Sequence, residues 1–235
     1  MEPNKLWDLI KENSFHPLNL CIEKNDSYSK SQIEEIESNL NVLLLDSPRT
    51  SGIDSLMKRL ADKDEFAGAR EELEIAAHFK RYGFKNLKLK PLNSTDIELP
   101  TNPTIYIEVS LQHYPETEKK IDDDLATGKS NKMEPSDDEI YSIINNVLSR
   151  KFKQLESKHA SIVLILDFGY SESYERVIKD NIEKFNIPDF IIGIIFRTKT
   201  NIFKFNSSFF DEKVKETLSL LQSPSLRAGS LYGRK

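Results

Sequence analysis

The chain has 235 residues, of which 38% are hydrophobic and 30% are charged, so it can bury one sizeable core and still carry an extension. Its formal net charge of −5 excludes a uniformly basic surface, so a nucleic acid would have to be met by a local basic patch. The single cysteine, Cys21, excludes an intrachain disulfide framework, so we expect a cytoplasmic protein. No stretch approaches the roughly 20 apolar residues that span a bilayer, so we expect no membrane segment.

The first part of the chain, residues 1–61, predicts an N-terminal helical extension. Apolar residues recur there at helical spacing, at Leu6, Trp7, Leu9 and Ile10 and again at Ile33, Ile36, Leu40, Leu43 and Leu44. The turn-forming residues between Asp46 and Gly52 interrupt this pattern before the more informative part begins near Asp62.

Residues 62–221 predict an α/β domain. Its elements in chain order are a helix at about 62–82, strands near 84–90, 94–99 and 104–112, a helix at about 138–157, a strand at 161–168, a helix near 172–185, strands at 190–196 and 202–205, and a last short helix. The polar stretch 114–138 lacks apolar periodicity and is interpreted as a mobile insertion, and residues 222–235 as a flexible tail.

One acid stands out on the helix at 62–82. At 100° per residue, Glu72 falls in the middle of a broad apolar arc, whereas Glu71 and Glu74 fall on the opposite side and are interpreted as a solvated face. An ionised carboxylate among apolar residues is costly unless it is paired, hydrogen-bonded or bound to a metal. A structural salt bridge and a functional site therefore both remain open for Glu72.

A second charge stands out on the helix at 138–157. Lys151 lies within its apolar stripe, and Gln154 lies at the edge of that stripe. The ordinary explanation is snorkelling, in which the lysine stem covers apolar surface while the ammonium reaches water. A functional role is the alternative, because acids are predicted on the strands nearby.

The two strands near 94–99 and 104–112 carry these acids. Side chains alternate between the two faces of a strand, which places Glu108, Ser110 and Gln112 on one face of the later strand. These three polar residues could form part of a site, or the strand could lie at the edge of the sheet with that face in water. Asp96 and Glu98 share a face of the earlier strand, and Asp96, which is nearer the turn, is the preferred site residue. Carboxylates on neighbouring strands can share a hard divalent cation.

The order of a helix acid at Glu72, a strand acid at Asp96 and the strand segment Glu108-Val109-Ser110 resembles the PD-(D/E)XK phosphodiesterase superfamily. The resemblance covers roughly residues 62–168, and the acid lies eleven residues before Gly83-Phe84. It implies a restriction-endonuclease-like core, in which a mixed β-sheet is flanked by helices. It also implies a metal-dependent nuclease that hydrolyses phosphodiester bonds, with DNA as the expected substrate.

The resemblance implies roles for individual residues. Glu72, Asp96 and Glu108 would bind Mg²⁺ or Mn²⁺, and the backbone carbonyl of Val109 could add a ligand. Ser110 stands where the family has its catalytic lysine, and serine cannot stabilise the charge that develops on the phosphate. Two residues could replace that lysine, and two more are expected to contact the substrate. The replacement candidates are Lys151 and Gln112, and the substrate-contacting residues are Ser110 and Gln154.

Two further functional classes stay open beside the nuclease. The fold could survive as a catalytically inactive module that binds nucleic acid or protein, or the acids could be coincidental in a structural α/β protein. Cleavage of both strands of a duplex would suit a homodimer. The sequence has no Gly-rich phosphate loop, nucleophile elbow or histidine ligand spacing, which argues against a kinase, a hydrolase triad and a zinc site.

Overall fold

The computed structural model describes residues 6–8, 10, 16–24, 27–45, 48–90, 95–112, 135–156, 161–169, 171–205 and 210–221. The helices are α1 Pro17–Lys24, α2 Ser27–Leu45, α3 Ile53–Ala61, α4 Phe66–Arg81, α5 Asp137–Leu155, α6 Glu172–Asn181 and α7 Glu212–Ser219, and a short 3-10 turn, Ile182–Lys184, follows α6. The strands are β1 Lys88–Leu89, β2 Ile97–Leu99, β3 Ile105–Leu111, β4 Ile162–Asp167, β5 Ile191–Arg197 and β6 Asn201–Phe205. The predicted insertion at 114–138, apart from 135–138, and the predicted tail at 222–235 lie outside the described residues.

The strands form one mixed sheet of six strands in the order β1-β2-β3-β4-β5-β6. The first three strands are an antiparallel meander, β3, β4 and β5 run parallel, and β6 returns antiparallel to β5. Parallel neighbours need a crossover, and α5 and α6 supply it between β3 and β4 and between β4 and β5. The predicted α/β class with a mixed sheet flanked by helices is therefore confirmed.

Helices cover both faces of the sheet and enclose two hydrophobic cores. One core lies between the sheet and the helices α2, α3, α4 and α7, and the other lies between the sheet and the helices α5 and α6. All residues of β4 and β5 are buried, as expected for central parallel strands whose sequences are continuous apolar runs. In the part of the chain that the structure describes, no helix is both long enough and apolar enough to cross a bilayer.

Helix α4 is buried on nearly every side, which makes the predicted solvated face wrong. Glu71 and Glu74 are both buried, because they bind the buried Arg197 at the end of β5. Helices α2 and α3 pack against α4 as well. Arg70 is also buried, and its guanidinium donates to Gln32 of α2. A helix wheel assumes one buried face, and here the helical extension buries a second one.

Helix α5 begins at a capping box. The Ser136 hydroxyl accepts from the backbone N–H of Glu139, and the Glu139 carboxylate accepts from the backbone N–H of Ser136. Two otherwise unpaired donors at the helix start are thereby satisfied. The helix therefore starts one residue earlier than the periodicity of its apolar side chains predicted.

The buried His16 joins the N-terminal segment to α3. Its Nε2 lies 2.8 Å from the carbonyl oxygen of Leu60, and its Nδ1 accepts from the backbone N–H of Leu18 at 3.2 Å. One neutral tautomer, with the proton on Nε2, satisfies both contacts.

Stability is expected to depend on pH through His16. Burial lowers the pKa of His16 below its ordinary value, so its contribution to stability is full above the unfolded-state pKa and is lost as the pH falls. Urea unfolding should therefore show that His16→Asn, although less stable at pH 8, loses less stability than the wild type between pH 8 and pH 5. Parallel curves for the two proteins would contradict this.

Candidate active site

The acid that the helix wheel singled out, Glu72, is held by an arginine from the helical extension. Nη1 and Nη2 of Arg59, in the last turn of α3, each donate to a different carboxylate oxygen of Glu72. The two side chains are largely buried, with 14% of Arg59 and 6% of Glu72 exposed. This two-bond geometry is the strongest form of an arginine–carboxylate pair, so Glu72 has the salt bridge that was one of its two open explanations.

Asp96, just before β2, lies beside both Glu72 and strand β3. Its Oδ2 accepts from the backbone N–H of Val109 at 2.8 Å, and its carboxyl is within hydrogen-bonding reach of Glu72. Burial, followed by the negative charge of Glu72, raises the pKa of Asp96 to about 7. Lys90 offsets part of this rise through its positive charge. Asp96 is therefore a carboxyl group that changes charge near neutral pH.

Glu108 and Lys151 meet on the side of the sheet that α5 covers. The Nζ of Lys151 lies 2.9 Å from Oε1 of Glu108, with 13% of the lysine side chain and 8% of the glutamate side chain exposed. The period of two on β3 explains this placement, since Ile107 packs into the core beneath α4 while Glu108 faces α5. The lysine in the apolar stripe thus reaches a buried acid.

The remaining predicted residues lie around this pair. The Nε2 of Gln112 donates to the hydroxyl of Ser110 at 2.8 Å, which links the two polar residues that follow Glu108 on the same face of β3. The backbone N–H of Gln112 donates to the carbonyl of Asp167 in β4. Gln154 is exposed on α5. The carbonyl of Val109 was the predicted ligand, and the described contact at Val109 is through its N–H.

Asp96 lies opposite Glu108, because its N–H donates to the carbonyl of Ile107 and its Oδ2 accepts from the N–H of Val109, the two neighbours of Glu108 on β3. We use the name acid row for Arg59, Glu72, Asp96, Glu108 and Lys151. A cation binds the acid at each end, and Asp96 in between has a backbone N–H as its bonded donor. No group of three or more His, Cys, Asp or Glu side chains among the described residues is arranged to hold a metal ion. Mg²⁺, however, is usually held by one or two carboxylates, with water and substrate phosphates as further ligands. Asp96 and Glu108 fit that requirement, because they are two buried or partly buried carboxyl groups at facing positions of neighbouring strands.

Sequence reasoning missed a second buried cluster at the neighbouring edge of the sheet. Arg197, at the end of β5, is fully buried and donates to Glu71 and Glu74 of α4, the latter at 3.0 Å. Oδ2 of Asp167, at the end of β4, lies 3.6 Å from the same guanidinium. A signal for this cluster exists in the sequence, since Asp167 and Arg197 each close a run of apolar strand residues. Because the carboxyl ends of adjacent parallel strands meet at one edge of a sheet, these two residues could have been expected to lie side by side.

Sequence reasoning also missed Arg59, and here no signal was available. Arg59 lies next to the buried residue Leu60 in the last turn of α3, where basic residues are common because they complement the helix dipole. Only the packing of α3 against α4 brings the guanidinium to Glu72.

Comparison of the chain with protein-family models, with curated protein sequences and with solved structures finds no match.

Proposed function

We propose that this chain is a cytoplasmic nuclease of the PD-(D/E)XK type, which uses Mg²⁺ or Mn²⁺ to hydrolyse phosphodiester bonds in DNA. The observation that carries the proposal is the contact of 2.9 Å between Lys151 Nζ and Glu108 Oε1. It supports the idea that a helix supplies the lysine that β3 lacks at Ser110. The order of helix acid, antiparallel strands and parallel strand, with Glu72, Asp96 and Glu108 on successive elements, also supports the restriction-endonuclease-like core.

The roles of the residues follow from their charges and positions. When bound, Mg²⁺ would act as a Lewis acid on the scissile phosphate. Asp96 and Glu108 would hold it, since ionised carboxylates are its preferred protein ligands. Lys151, kept in place by Glu108, would stabilise the negative charge that develops on the phosphate and orient the attacking water. Ser110 and Gln112, linked to each other on the same strand, would contact the substrate nearby.

The test is cleavage of supercoiled and linear DNA by the purified full chain in Mg²⁺, Mn²⁺ or EDTA. We expect cleavage only with metal. Glu108→Ala and Lys151→Ala should each reduce the rate by about 100-fold or more, the usual loss when one stabilising group is removed from a reacting centre. Lys153→Ala is the matched control, because Lys153 is an exposed lysine two residues further along α5, and it should change the rate by no more than about threefold.

A different result would favour another function. Metal-independent cleavage, or full activity in Lys151→Ala, would contradict the proposed role of the lysine. A folded wild type that binds DNA but cleaves nothing in any metal would favour the second candidate, a non-catalytic module that binds nucleic acid. The pairing of Glu72 with Arg59 is the observation that favours this candidate, because it occupies an acid that the resemblance assigns to the metal.

A further inference from the structure

The arginine at one end of the acid row occupies the place in which a third metal ligand is expected. Each oxygen of Glu72 accepts from Arg59, so the guanidinium neutralises the carboxylate and takes up one lone pair on each oxygen, which makes Glu72 a poorer ligand for a metal ion. Burial makes opening of the pair unfavourable, since it would leave the guanidinium without its counter-ion in a mostly desolvated position. In this state, Glu72 is the binding partner of a protein cation.

The guanidinium also acts on the second acid of the row. Asp96 contributes to the electrostatic environment of Arg59 together with Glu72 and Glu65, and Asp96 is within hydrogen-bonding reach of Glu72. Arg59 therefore supplies the positive charge that two adjacent buried carboxyls need. A divalent cation between Glu72 and Asp96 would compete with this charge directly.

We propose that Arg59 is a positioning residue that keeps Glu72 out of the cation site, so that Asp96 and Glu108 take the divalent cation without a third carboxylate. This inference rests on the proposed function and extends it. A site of two carboxylates leaves more positions for substrate phosphate oxygens, which makes cation binding depend more strongly on substrate. It also gives the helical extension a part in the site, since Arg59 lies on α3.

The test is titration of the full chain with Mn²⁺, with free Mn²⁺ measured by electron paramagnetic resonance at pH 7.5. Glu72→Gln should change the dissociation constant by no more than about threefold, because Glu72 is not a ligand, whereas Asp96→Asn should weaken binding by about tenfold or more. Arg59→Gln frees Glu72 and should tighten binding by about tenfold. Arg59→Lys, which keeps a cation beside Glu72, should stay near the wild-type value.

The double variant Arg59→Gln/Glu72→Gln controls for loss of structure. It removes both charges together, so it avoids an uncompensated buried carboxylate, and it should bind Mn²⁺ as the wild type does. Weakening by tenfold in Glu72→Gln would show that Glu72 is a ligand and would overturn the proposal. If Arg59→Gln does not fold, Glu72→Gln and the double variant decide the question by themselves.

Failure of the proposed function gives a different pattern. A wild type that neither binds Mn²⁺ nor cleaves DNA would refute the nuclease. Such a result would also overturn the role of Arg59, because Asp96 and Glu108 would then hold no cation. A wild type that binds Mn²⁺ but cleaves no DNA would refute the nuclease alone, and the dissociation constants of the Arg59 and Glu72 variants would still decide the role of Arg59.

Discussion

Replacing Asp96 with asparagine is expected to stabilise the fold at pH 8 and to abolish metal-dependent DNA cleavage. Burial and the nearby Glu72 raise the pKa of Asp96 from 3.8 to about 7. Protonated Asp96 therefore contributes to the free energy of unfolding. This contribution is full below the unfolded-state pKa and is lost as the pH rises through 7. At pH 8 the folded wild type must therefore carry an ionised carboxyl in an unfavourable place.

Asparagine resembles the protonated acid. Its amide oxygen can still accept from the backbone N–H of Val109, and its NH₂ group can donate to Glu72. A gain of about 2 kcal/mol is expected at pH 8, roughly half the full value of the shift, because Asp96 is partly accessible to water. Under the proposed function, loss of the carboxylate of Asp96 should lower the cleavage rate by about 1,000-fold, which corresponds to the several kcal/mol of charge stabilisation that a metal supplies.

Urea unfolding at pH 5 and pH 8, with cleavage assays on the same preparations, checks both effects. The advantage of Asp96→Asn should shrink as the pH falls to 5, because the wild type then gains its proton. Glu98→Gln is the control, since Glu98 on the same strand pairs with the exposed Lys88 and should show neither effect. An Asp96→Asn protein that is less stable than the wild type at pH 8, or that still cleaves DNA, would refute the argument.

Replacing Arg197 with methionine is expected to destabilise the fold by about 3–5 kcal/mol. The guanidinium is fully buried and binds Glu71 and Glu74 of α4, with Asp167 of β4 close by. These acids raise the pKa of Arg197 further above its already high value. Without the arginine, carboxyl groups of like charge would remain together in a desolvated region between α4 and the sheet.

Urea unfolding of Arg197→Met measures this loss, and the exposed Arg176 provides the comparison. Arg176 pairs with Asp137 at 2.6 Å, but more than half of each side chain is in water, so Arg176→Met should cost less than about 0.5 kcal/mol. A loss below about 1 kcal/mol for Arg197→Met would show that the cluster is not a structural centre.

The acids of α4 are divided between two clusters. Glu71 and Glu74 turn toward Arg197 at the ends of β4 and β5, whereas Glu72 turns toward Arg59 and Asp96. Successive residues on a helix point in different directions, so neighbouring acids can serve different clusters. The ion pair with Arg59 links α4 to α3 of the helical extension, and the ion pairs with Arg197 link α4 to β5 of the sheet.

The outcome of the sequence analysis depended on how far apart the interacting residues lie. The period of two on β3 correctly placed Ile107 and Glu108 on opposite faces, and the apolar stripe of α5 correctly marked Lys151 as unusual. Both conclusions needed only local geometry. The solvated face assigned to Glu71 and Glu74 was wrong, because both acids bind Arg197 of β5, which lies 126 residues from Glu71 and 123 residues from Glu74 in the chain.

By itself, the sequence determined the α/β class, the order of helices and strands, and the positions at which a charge interrupts an apolar pattern. These properties follow from side-chain periodicity, which acts over a few residues. Only the tertiary structure decided which charges meet. Arg59 reaches Glu72 across 13 residues, Lys151 reaches Glu108 across 43, and Arg197 reaches Glu71 across 126. Such pairs depend on how helices pack on the sheet, and that packing is a property of the whole core rather than of any local segment.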